Sequence, residues 1–165
     1  MINFQELFDG FQRGNFGFVS VSLDIDSANS LYDLLISIGV SNPVEPEEMH
    51  ATVAYDENNP YIKGCISNNV YKMYEPFNIE RMGNVGSKWE AIAVQFTSSS
   101  LKFRHNDFVE MGIKSKYPSF IPHLSLVYQP DIEDLNKIIN NQAKIIEILQ
   151  NAVLKNEQWK SVIKD

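Results

Sequence analysis

Runs that alternate between apolar and polar residues are interspersed along this chain with segments of helical periodicity. Residues 18–23 and 49–55 alternate at the strand period and predict two strands. Between them, apolar side chains recur on one helical face at Leu31, Leu34, Leu35 and Ile38. We expect this helix to be capped at Asp26-Ser27 and to end at Gly39.

The rest of the chain continues the same rhythm. Residues 56–68 have no clear period and predict a loop, whereas residues 70–82 and 88–96 predict two strands joined by glycine turns. We expect a short helix to open at residues 131–134 and a final strand to lie within residues 144–154. Strands that alternate with helices in this way predict a mixed sheet with helices packed on it.

The second half of the chain repeats the layout of the first at a fixed offset of 73 positions (123 minus 50). The copies agree best in a hexamer that reads histidine, apolar, hydroxyl, apolar, apolar, tyrosine, at residues 50–55 and again at residues 123–128. Gly39 and Gly112 each stand 11 residues before their histidine. Chance rarely produces such a repeat, so it predicts two similar lobes within one domain over residues 1–165.

Each hexamer presents one imidazole and one hydroxyl on the same face, because side chains two positions apart on a strand point the same way. His50 shares its face with Thr52, and His123 shares its face with Ser125. The same parity assigns the intervening apolar residues and the final tyrosine of each hexamer to the opposite face, where helices pack. If a pseudo-twofold axis relates the lobes, the two pairs face each other across a groove of phosphate size.

Two histidines that face one phosphate suit the cleavage of a phosphodiester without a metal or cofactor. A base takes a proton from the attacking oxygen and an acid gives one to the leaving oxygen, and imidazole performs both tasks at neutral pH. One ring must begin neutral and the other protonated, which predicts a bell-shaped rate profile against pH. Thr52 and Ser125 are expected to hold the non-bridging oxygens. The alternatives are a histidine pair that only binds its ligand and two unrelated surface histidines.

The third histidine, His105, is expected to be a packing or surface residue. It lies in a helical run over residues 101–111 and has no hydroxyl residue two positions further on.

Composition bounds the ligand and the location of the protein. The 165 residues, 44% of them hydrophobic, suffice for one domain with one groove. Fourteen basic and 21 acidic side chains give a formal charge of −7, which repels long nucleic acids but permits a short or cyclic nucleotide. A single cysteine, Cys65, excludes an intramolecular disulfide and a multi-cysteine zinc site. No membrane span or secretory signal is visible, so we expect residence in the cytoplasm.

The paired motifs His50-Ala-Thr52-Val and His123-Leu-Ser125-Leu resemble the signature of the 2H phosphoesterases. This resemblance covers nearly the whole chain and implies the LigT-like α+β fold, in which two pseudo-symmetric lobes of antiparallel sheet with packed helices flank a central groove. Within that superfamily the chain is most similar to the bacteriophage anti-CBASS nucleases, which destroy the cyclic di- and trinucleotide signals of bacterial immunity.

That similarity implies a substrate and a reaction. It implies cleavage of 3'-5' bonds in ligands such as cGAMP and cyclic triadenylate, with a ribose 2'-hydroxyl as nucleophile and a linear oligonucleotide as product. If the protein is encoded by a phage, it would act in the cytoplasm of the bacterial host.

Such relatives also hold bases by aromatic stacking, which makes rings on the groove face candidates for binding. Trp89 is the first candidate, because the alternate residues that follow it are small or polar. Phe16 or Phe18 is the candidate for a second base, with core filling as the alternative for both. Tyr117 lies in the segment that enters the second motif and is expected to line the mouth of the groove.

Charged residues complete the list of candidates. A late acidic residue reads a purine edge in such relatives, and Glu157 matches it by position, with a solvated charge near the chain end as the alternative. Lys88, Lys114 and Lys116 lie in the sequence close to the segments that are expected to form the groove. They are candidates for attracting phosphates, with solvated surface residues as the alternative.

Other functions fit the same residues. The histidines could open a 2',3'-cyclic phosphate in RNA repair or cut 2'-5' oligoadenylate, although the acidic surface argues against RNA ends. A non-catalytic sponge would bind the cyclic nucleotide and return it intact, whereas a virion assembly factor that retains the fold would ignore it. The sequence leaves the oligomeric state open.

Overall fold

A computed structural model describes residues 10–163, which form nine strands and four α-helices. The helices are α1 (Ile25–Ser37), α2 (Ser99–Met111), α3 (Asp134–Asn140) and α4 (Gln142–Gln150). The strands are β1 (Phe11–Asn15), β2 (Phe18–Leu23), β3 (His50–Tyr55), β4 (Tyr61–Cys65), β5 (Tyr71–Lys72), β6 (Tyr74–Met82), β7 (Ala91–Thr97), β8 (His123–Tyr128) and β9 (Val153–Lys160). The predicted α+β class is confirmed, while residues 1–9, where a secretory signal was not expected, lie outside the described residues.

Seven strands form one antiparallel sheet in the order β5-β9-β2-β3-β8-β7-β6, and β1 pairs with β4 in a separate two-stranded sheet. The two strands that carry the hexamers, β3 and β8, lie side by side in the middle of the larger sheet. Outward from this pair, β2 flanks β3 as β7 flanks β8. The repeat in the sequence is therefore a symmetry of the sheet.

The two edge strands of the larger sheet are consecutive in the chain. β5 ends at Lys72 and β6 begins at Tyr74, so a single residue, Met73, joins opposite edges of the sheet. Because consecutive Cα atoms are only about 3.8 Å apart, the sheet must curve until its edges meet. The predicted strand over residues 70–82 is thus two strands, divided at the residue where the chain passes from one edge to the other.

The buried face of the sheet is covered by the apolar stripes of the helices. Ala51 and Leu124, opposite each other on the central strands, are fully buried, as are the helix residues Leu31, Phe108 and Leu149. These side chains belong to one continuous core cluster. The four-residue spacing between Leu31 and Leu35 on α1 places both in this cluster, as their period predicts.

The N-cap of α1 is Asp24, two residues before the predicted cap at Asp26-Ser27. The carboxylate of Asp24 accepts hydrogen bonds from the backbone N–H of Ser27 at 3.1 Å and of Val153 at 2.9 Å, so it caps α1 and ties it to β9. Burial works to raise the pKa of Asp24, but these hydrogen bonds and the nearby Lys155 outweigh it and lower the pKa.

Two segments differ from the sequence prediction. The expected loop over residues 56–68 contains β4, which pairs with β1 rather than with the main sheet. The expected strand within residues 144–154 is mostly helix α4, since Ile145 and Leu149 lie one helical turn apart and are both buried. The final strand, β9, follows it. Among the described residues, no helix is long and apolar enough to cross a lipid bilayer.

Candidate active site

The two histidine motifs meet at the centre of the sheet. Strands β3 and β8 pair with Ala51 opposite Leu124. In an antiparallel pair this register continues to place His50 opposite Ser125 and Thr52 opposite His123. The two histidines thus occupy one diagonal of a four-residue patch, and diagonal neighbours of this kind have Cα atoms roughly 7–8 Å apart.

All four side chains of this patch emerge on one face of the sheet. His50, Thr52, His123 and Ser125 are each partly exposed, whereas the apolar residues between them are buried. The alternation of buried and partly exposed positions is the same in both strands as far as the fifth residue. The structure therefore brings together the four residues that the sequence selects as candidates for catalysis.

Each histidine is oriented by a main-chain carbonyl two positions before it. Nδ1 of His50 lies 2.7 Å from the carbonyl oxygen of Glu48, and Nδ1 of His123 lies 3.0 Å from that of Ile121. Because a carbonyl oxygen only accepts, Nδ1 is the protonated nitrogen in both rings. Nε2 of each ring is then the nitrogen left to exchange a proton with a ligand.

A β-bulge interrupts the pairing at the same place in both halves. Val19 and Ser20 pair with Ala54 and Thr52, so the register skips Val53. At the 73-residue offset, Ile92 and Ala93 pair with Val127 and Ser125, which skips Leu126 (126 minus 53 is 73). A bulge inserts one unpaired residue and shifts the parity of the strand beyond it.

The predicted orientation of the first hexamer tyrosine, Tyr55, is wrong because of this shift. Tyr55 is 46% exposed and packs edge-on against Phe18, whose ring also lies 5.8 Å from that of His50. Tyr128 packs in the same way against Trp89, with the ring centroids 6.1 Å apart. Tyr55 thus lies on the face of the histidines rather than among the helices. Tyr128 is only partly exposed and also packs against the core, as predicted.

The neighbouring strands extend the polar face on both sides. On β2, Ser22 lies opposite His50 and Ser20 lies opposite Thr52. On β7, Gln95 lies opposite His123 and Ala93 lies opposite Ser125. The two β2 serines were missed in the sequence, although their alternation with Val19, Val21 and Leu23 marks a polar face.

The aromatic candidates divide between the two faces. Phe18 contacts His50 and therefore borders the site. Trp89 precedes β7, is 64% exposed and packs edge-on against Tyr128, the last residue of β8. Phe16, in contrast, packs edge-on against the buried Trp159 at 6.0 Å, so it fills the core and is not brought to the histidines.

The segment that enters β8 is exposed. Tyr117 is 72% exposed, and its backbone N–H donates to Oγ of Ser115. The backbone N–H of Lys114 donates to the buried carboxylate of Asp56, while Lys116 is exposed. Lys88 lies with its ammonium 5.2 Å from the centre of the Trp89 ring. None of these contacts joins Tyr117 or the lysines to the four-residue patch.

Glu157 is neither a free base-reading group nor a solvated charge near the chain end. Its carboxylate is buried in β9 and accepts from two nitrogens of Arg104, at 2.7 and 2.8 Å, from the backbone N–H of Ser67 and from the indole N–H of Trp159. The hydrogen bonds and the charge of Glu157 raise the pKa of Arg104 against the effect of burial. Glu157 therefore holds α2 against β9.

A cavity of about 340 Å³ lies beside this ion pair, and its lining includes Ser67, Lys155, Glu157 and Gln158. Lys155 pairs with Ser22 and Gln158 pairs with Ser20. Because paired residues point to the same face, Lys155 and Gln158 lie on the polar face, and the cavity borders it. Strand β9 is two strand spacings, or about 10 Å, from β3. Lys155 and Gln158 had no distinguishing pattern in the sequence.

Within residues 10–163, no group of three or more histidine, cysteine, aspartate or glutamate side chains is placed to hold a metal ion. His105 lies in α2, as predicted, and is buried on the side of the sheet opposite to the four-residue patch.

Comparison with known proteins identifies relatives over most of the chain. Residues 16–161 match the family model described as anti-CBASS protein Acb1. The chain is 23% identical over 130 residues to anti-CBASS protein Acb1 of Vibrio phage KVP40, covering 79% of this chain and 82% of the relative. It is 24% identical over 122 residues to the Acb1 of Escherichia phage RB16, covering 73% and 68% of the two chains. The Acb1 of Salmonella phage S16 is 24% identical over 134 residues, which cover 78% of each chain. Because the match to the family model includes both central strands, β9 and every candidate site residue, this chain belongs to the anti-CBASS protein Acb1 family.

Proposed function

We propose that this protein is a metal-independent phosphodiesterase with the fold of the 2H phosphoesterases, and that it cleaves 3'-5' bonds in cyclic di- and trinucleotides to counter CBASS defence. The observation that carries the proposal is the pairing of Ala51 with Leu124, which brings the two motifs side by side. Their histidines and hydroxyl residues are partly exposed, while the apolar residues between them are buried. The relatives are named for anti-CBASS function, which agrees with a cyclic nucleotide as ligand.

The reaction requires one proton to leave the nucleophile and one to reach the leaving group. Nε2 of one histidine removes the proton of a ribose 2'-hydroxyl as its oxygen forms a bond to phosphorus. The bond from phosphorus to the 5'-oxygen breaks, and Nε2 of the other histidine gives that oxygen its proton. The product is a linear oligonucleotide with a 2',3'-cyclic phosphate, which water opens when the two rings exchange roles.

The hydroxyls of Thr52 and Ser125 stabilise the charge that develops on the non-bridging oxygens. Each hydroxyl lies opposite the histidine of the other strand. The two histidine–hydroxyl pairs therefore lie on opposite sides of the pseudo-twofold axis. This arrangement suits a phosphate whose two sides are held by equivalent groups.

The bases extend from this point along the polar face. Trp89 and Phe18 border the site from its two halves and offer rings for stacking. The cavity beside Lys155 and Gln158 offers room for a base. Glu157 stabilises the wall of this cavity through its buried bond to Arg104 and does not itself recognise the base. The lysine supplies local positive charge on a protein whose formal charge is −7.

The proposal is tested by incubating the protein with cGAMP, cyclic triadenylate, a 2',3'-cyclic mononucleotide and 2'-5' oligoadenylate, with and without EDTA. Chromatography and mass spectrometry must be combined, because ring opening alone leaves the mass unchanged and hydrolysis adds one water. We expect linear products from the cyclic di- or trinucleotides and no effect of EDTA. Turnover of only the two RNA-type compounds, retention of the cyclic ligand intact, or loss of activity in EDTA would each contradict it.

A further inference from the structure

We propose that His105 is a positioning residue that fixes the placement of the two central strands from the buried side of the sheet. The proposal rests on the phosphodiesterase function proposed above. It assigns to the third histidine a role in geometry and no contact with the substrate.

On one side, His105 bonds to the strand of Thr52. The ring is only 8% exposed, and Nδ1 lies 2.6 Å from the carbonyl oxygen of Val53. Since a carbonyl oxygen only accepts, Nδ1 donates. Val53 directly follows Thr52 and is the residue that the register with β2 skips. The imidazole thus donates a hydrogen bond to the carbonyl oxygen of the bulge residue in β3.

On the other side, His105 supports the segment that orients His123. Its ring stacks on Phe120 with the centroids 4.2 Å apart and the planes 3° from parallel. Phe120 precedes Ile121, whose carbonyl oxygen accepts from Nδ1 of His123. The buried side chain of His105 therefore links Val53, which follows Thr52, to Phe120, which precedes the residue whose carbonyl oxygen orients His123.

In the other half of the sheet, a backbone N–H supplies the donor to the skipped residue. Leu126, the residue skipped in β8, has a carbonyl oxygen that accepts from the backbone N–H of Val44 at 2.8 Å, beside an isolated bridge between Pro43 and Val127. The position equivalent to Val44 is Tyr117 (44 plus 73), whose N–H donates to Ser115 instead. His105 thus replaces a backbone hydrogen bond that the second lobe lacks at this position.

An apolar side chain of similar size would preserve the packing but not the hydrogen bond. The buried carbonyl of Val53 would then lose its donor, and β3 would shift to regain one. Because Thr52 is the adjacent residue, such a shift moves a hydroxyl that must meet the phosphate within a fraction of an ångström.

Three variants separate the hydrogen bond from the volume of the ring. His105→Asn keeps an N–H donor near the position of Nδ1, His105→Gln moves the amide outward, and His105→Phe keeps only the stack. With a cyclic dinucleotide, we expect kcat of the Gln variant, which loses both contacts, to fall about ten- to a hundredfold with KM within about twofold. The Asn and Phe variants each keep one contact, so their kcat should fall by less. Tyr32→Phe, at the equivalent position of α1 (105 minus 73), is the matched control and should retain the wild-type kcat.

A second readout requires no turnover. The imidazole nitrogen resonances of His123 in NMR spectra should shift in the Gln and Asn variants, which lose the stack on Phe120, and stay in place in the Phe variant, which keeps it. If the wild-type protein cleaves no cyclic nucleotide but these shifts occur, the positioning role stands and the proposed function fails. Wild-type kcat and His123 resonances in the Gln variant would overturn the positioning role. An equal loss of kcat in the Asn and Gln variants would also overturn it, because ring volume rather than the hydrogen bond would then decide the geometry.

Discussion

The two imidazoles of the candidate active site owe their orientation to short-range contacts. Each ring donates from Nδ1 to a carbonyl oxygen two residues earlier, at Glu48 and at Ile121. These contacts are 73 positions apart, like the histidines themselves (121 minus 48). The local chain therefore fixes the tautomer of each ring, and the pairing of β3 with β8 fixes the distance between the rings.

The hydroxyls next to the histidines are expected to act on the transition state. Thr52→Ala or Ser125→Ala should lower kcat by roughly a hundred- to a thousandfold, the effect of removing one donor to a developing oxyanion. Steady-state kinetics with a cyclic dinucleotide measures this effect, and Ser30→Ala on the exposed surface of α1 is the control. Equal kcat in the Thr52, Ser125 and Ser30 variants would exclude the assigned role.

The indole beside Tyr128 is expected to contribute binding rather than chemistry. Trp89→Ala should weaken the affinity for a cyclic dinucleotide by about 1–3 kcal/mol, or roughly five- to a hundredfold in Kd, as expected for one stacked base. Titration calorimetry reports this change. Phe103, which is 72% exposed on α2, provides a matched control, since Phe103→Ala removes an exposed ring away from the site. An unchanged Kd for the Trp89 variant would remove the residue from the binding site.

Single residues were predictable from the sequence where a duplicated pattern carried them. His50, Thr52, His123 and Ser125 follow from strand parity over two or three residues, which a regular strand preserves. Tyr55 lies beyond a bulge, and a bulge leaves no mark in the hydrophobic pattern. Glu157 was misjudged because its four donors come from three different segments of the chain, which only the fold brings together.

At the scale of elements, the buried ion pair between α2 and β9 is expected to be a major contributor to stability. Glu157→Ala should lower the free energy of unfolding by about 3 kcal/mol, because it leaves Arg104 without its buried partner. Asp107→Ala removes the exposed partner of the same arginine and should cost less than about 0.5 kcal/mol. Urea unfolding compares the two variants. Similar losses of unfolding free energy in the two variants would show that the buried ion pair contributes no more to stability than the exposed one.

Asp24 joins two elements and makes their stability depend on pH. Its folded-state pKa lies below the ordinary value of 3.8, so its contribution is present at neutral pH and is lost as the pH falls through that lowered pKa. Asp24→Ala removes both acceptors and should cost about 1 kcal/mol at pH 7, a typical value for the loss of a helix cap. Urea unfolding from neutral pH into acid should show this difference shrink. A difference that stays constant or grows in acid would contradict the assignment.

Elements were predictable from the sequence where their pattern was long or repeated. Strands β2 and β3 and helix α1 have a clear period and occur where expected, whereas the four-residue apolar spacing of α4 competed with a strand pattern in the same isoleucine-rich segment. Strand β4 was missed because its partner β1 lies outside the main sheet, so only one of its side chains, Ile62, is fully buried.

On the scale of the whole molecule, one curved sheet contains both copies of the sequence repeat. Strand β2 flanks β3 as β7 flanks β8, and a single residue between β5 and β6 brings the two edges of the sheet together. The symmetry was visible in the sequence, but the curvature of the sheet was not. Residues 70–82 have the pattern of one continuous strand, and they divide at Met73 only because β5 pairs with β9 while β6 pairs with β7.

Single-turnover cleavage of cGAMP by the variants His50→Ala and His123→Ala shows whether both imidazoles act on one phosphorus atom. Each substitution should slow cleavage by about 10² to 10⁴-fold, because each removes one of two proton transfers that occur around the same phosphate. Circular dichroism and calorimetry should show that both variants remain folded and bind most of the ligand. Cleavage near the wild-type rate by either single variant would exclude a mechanism that uses both histidines.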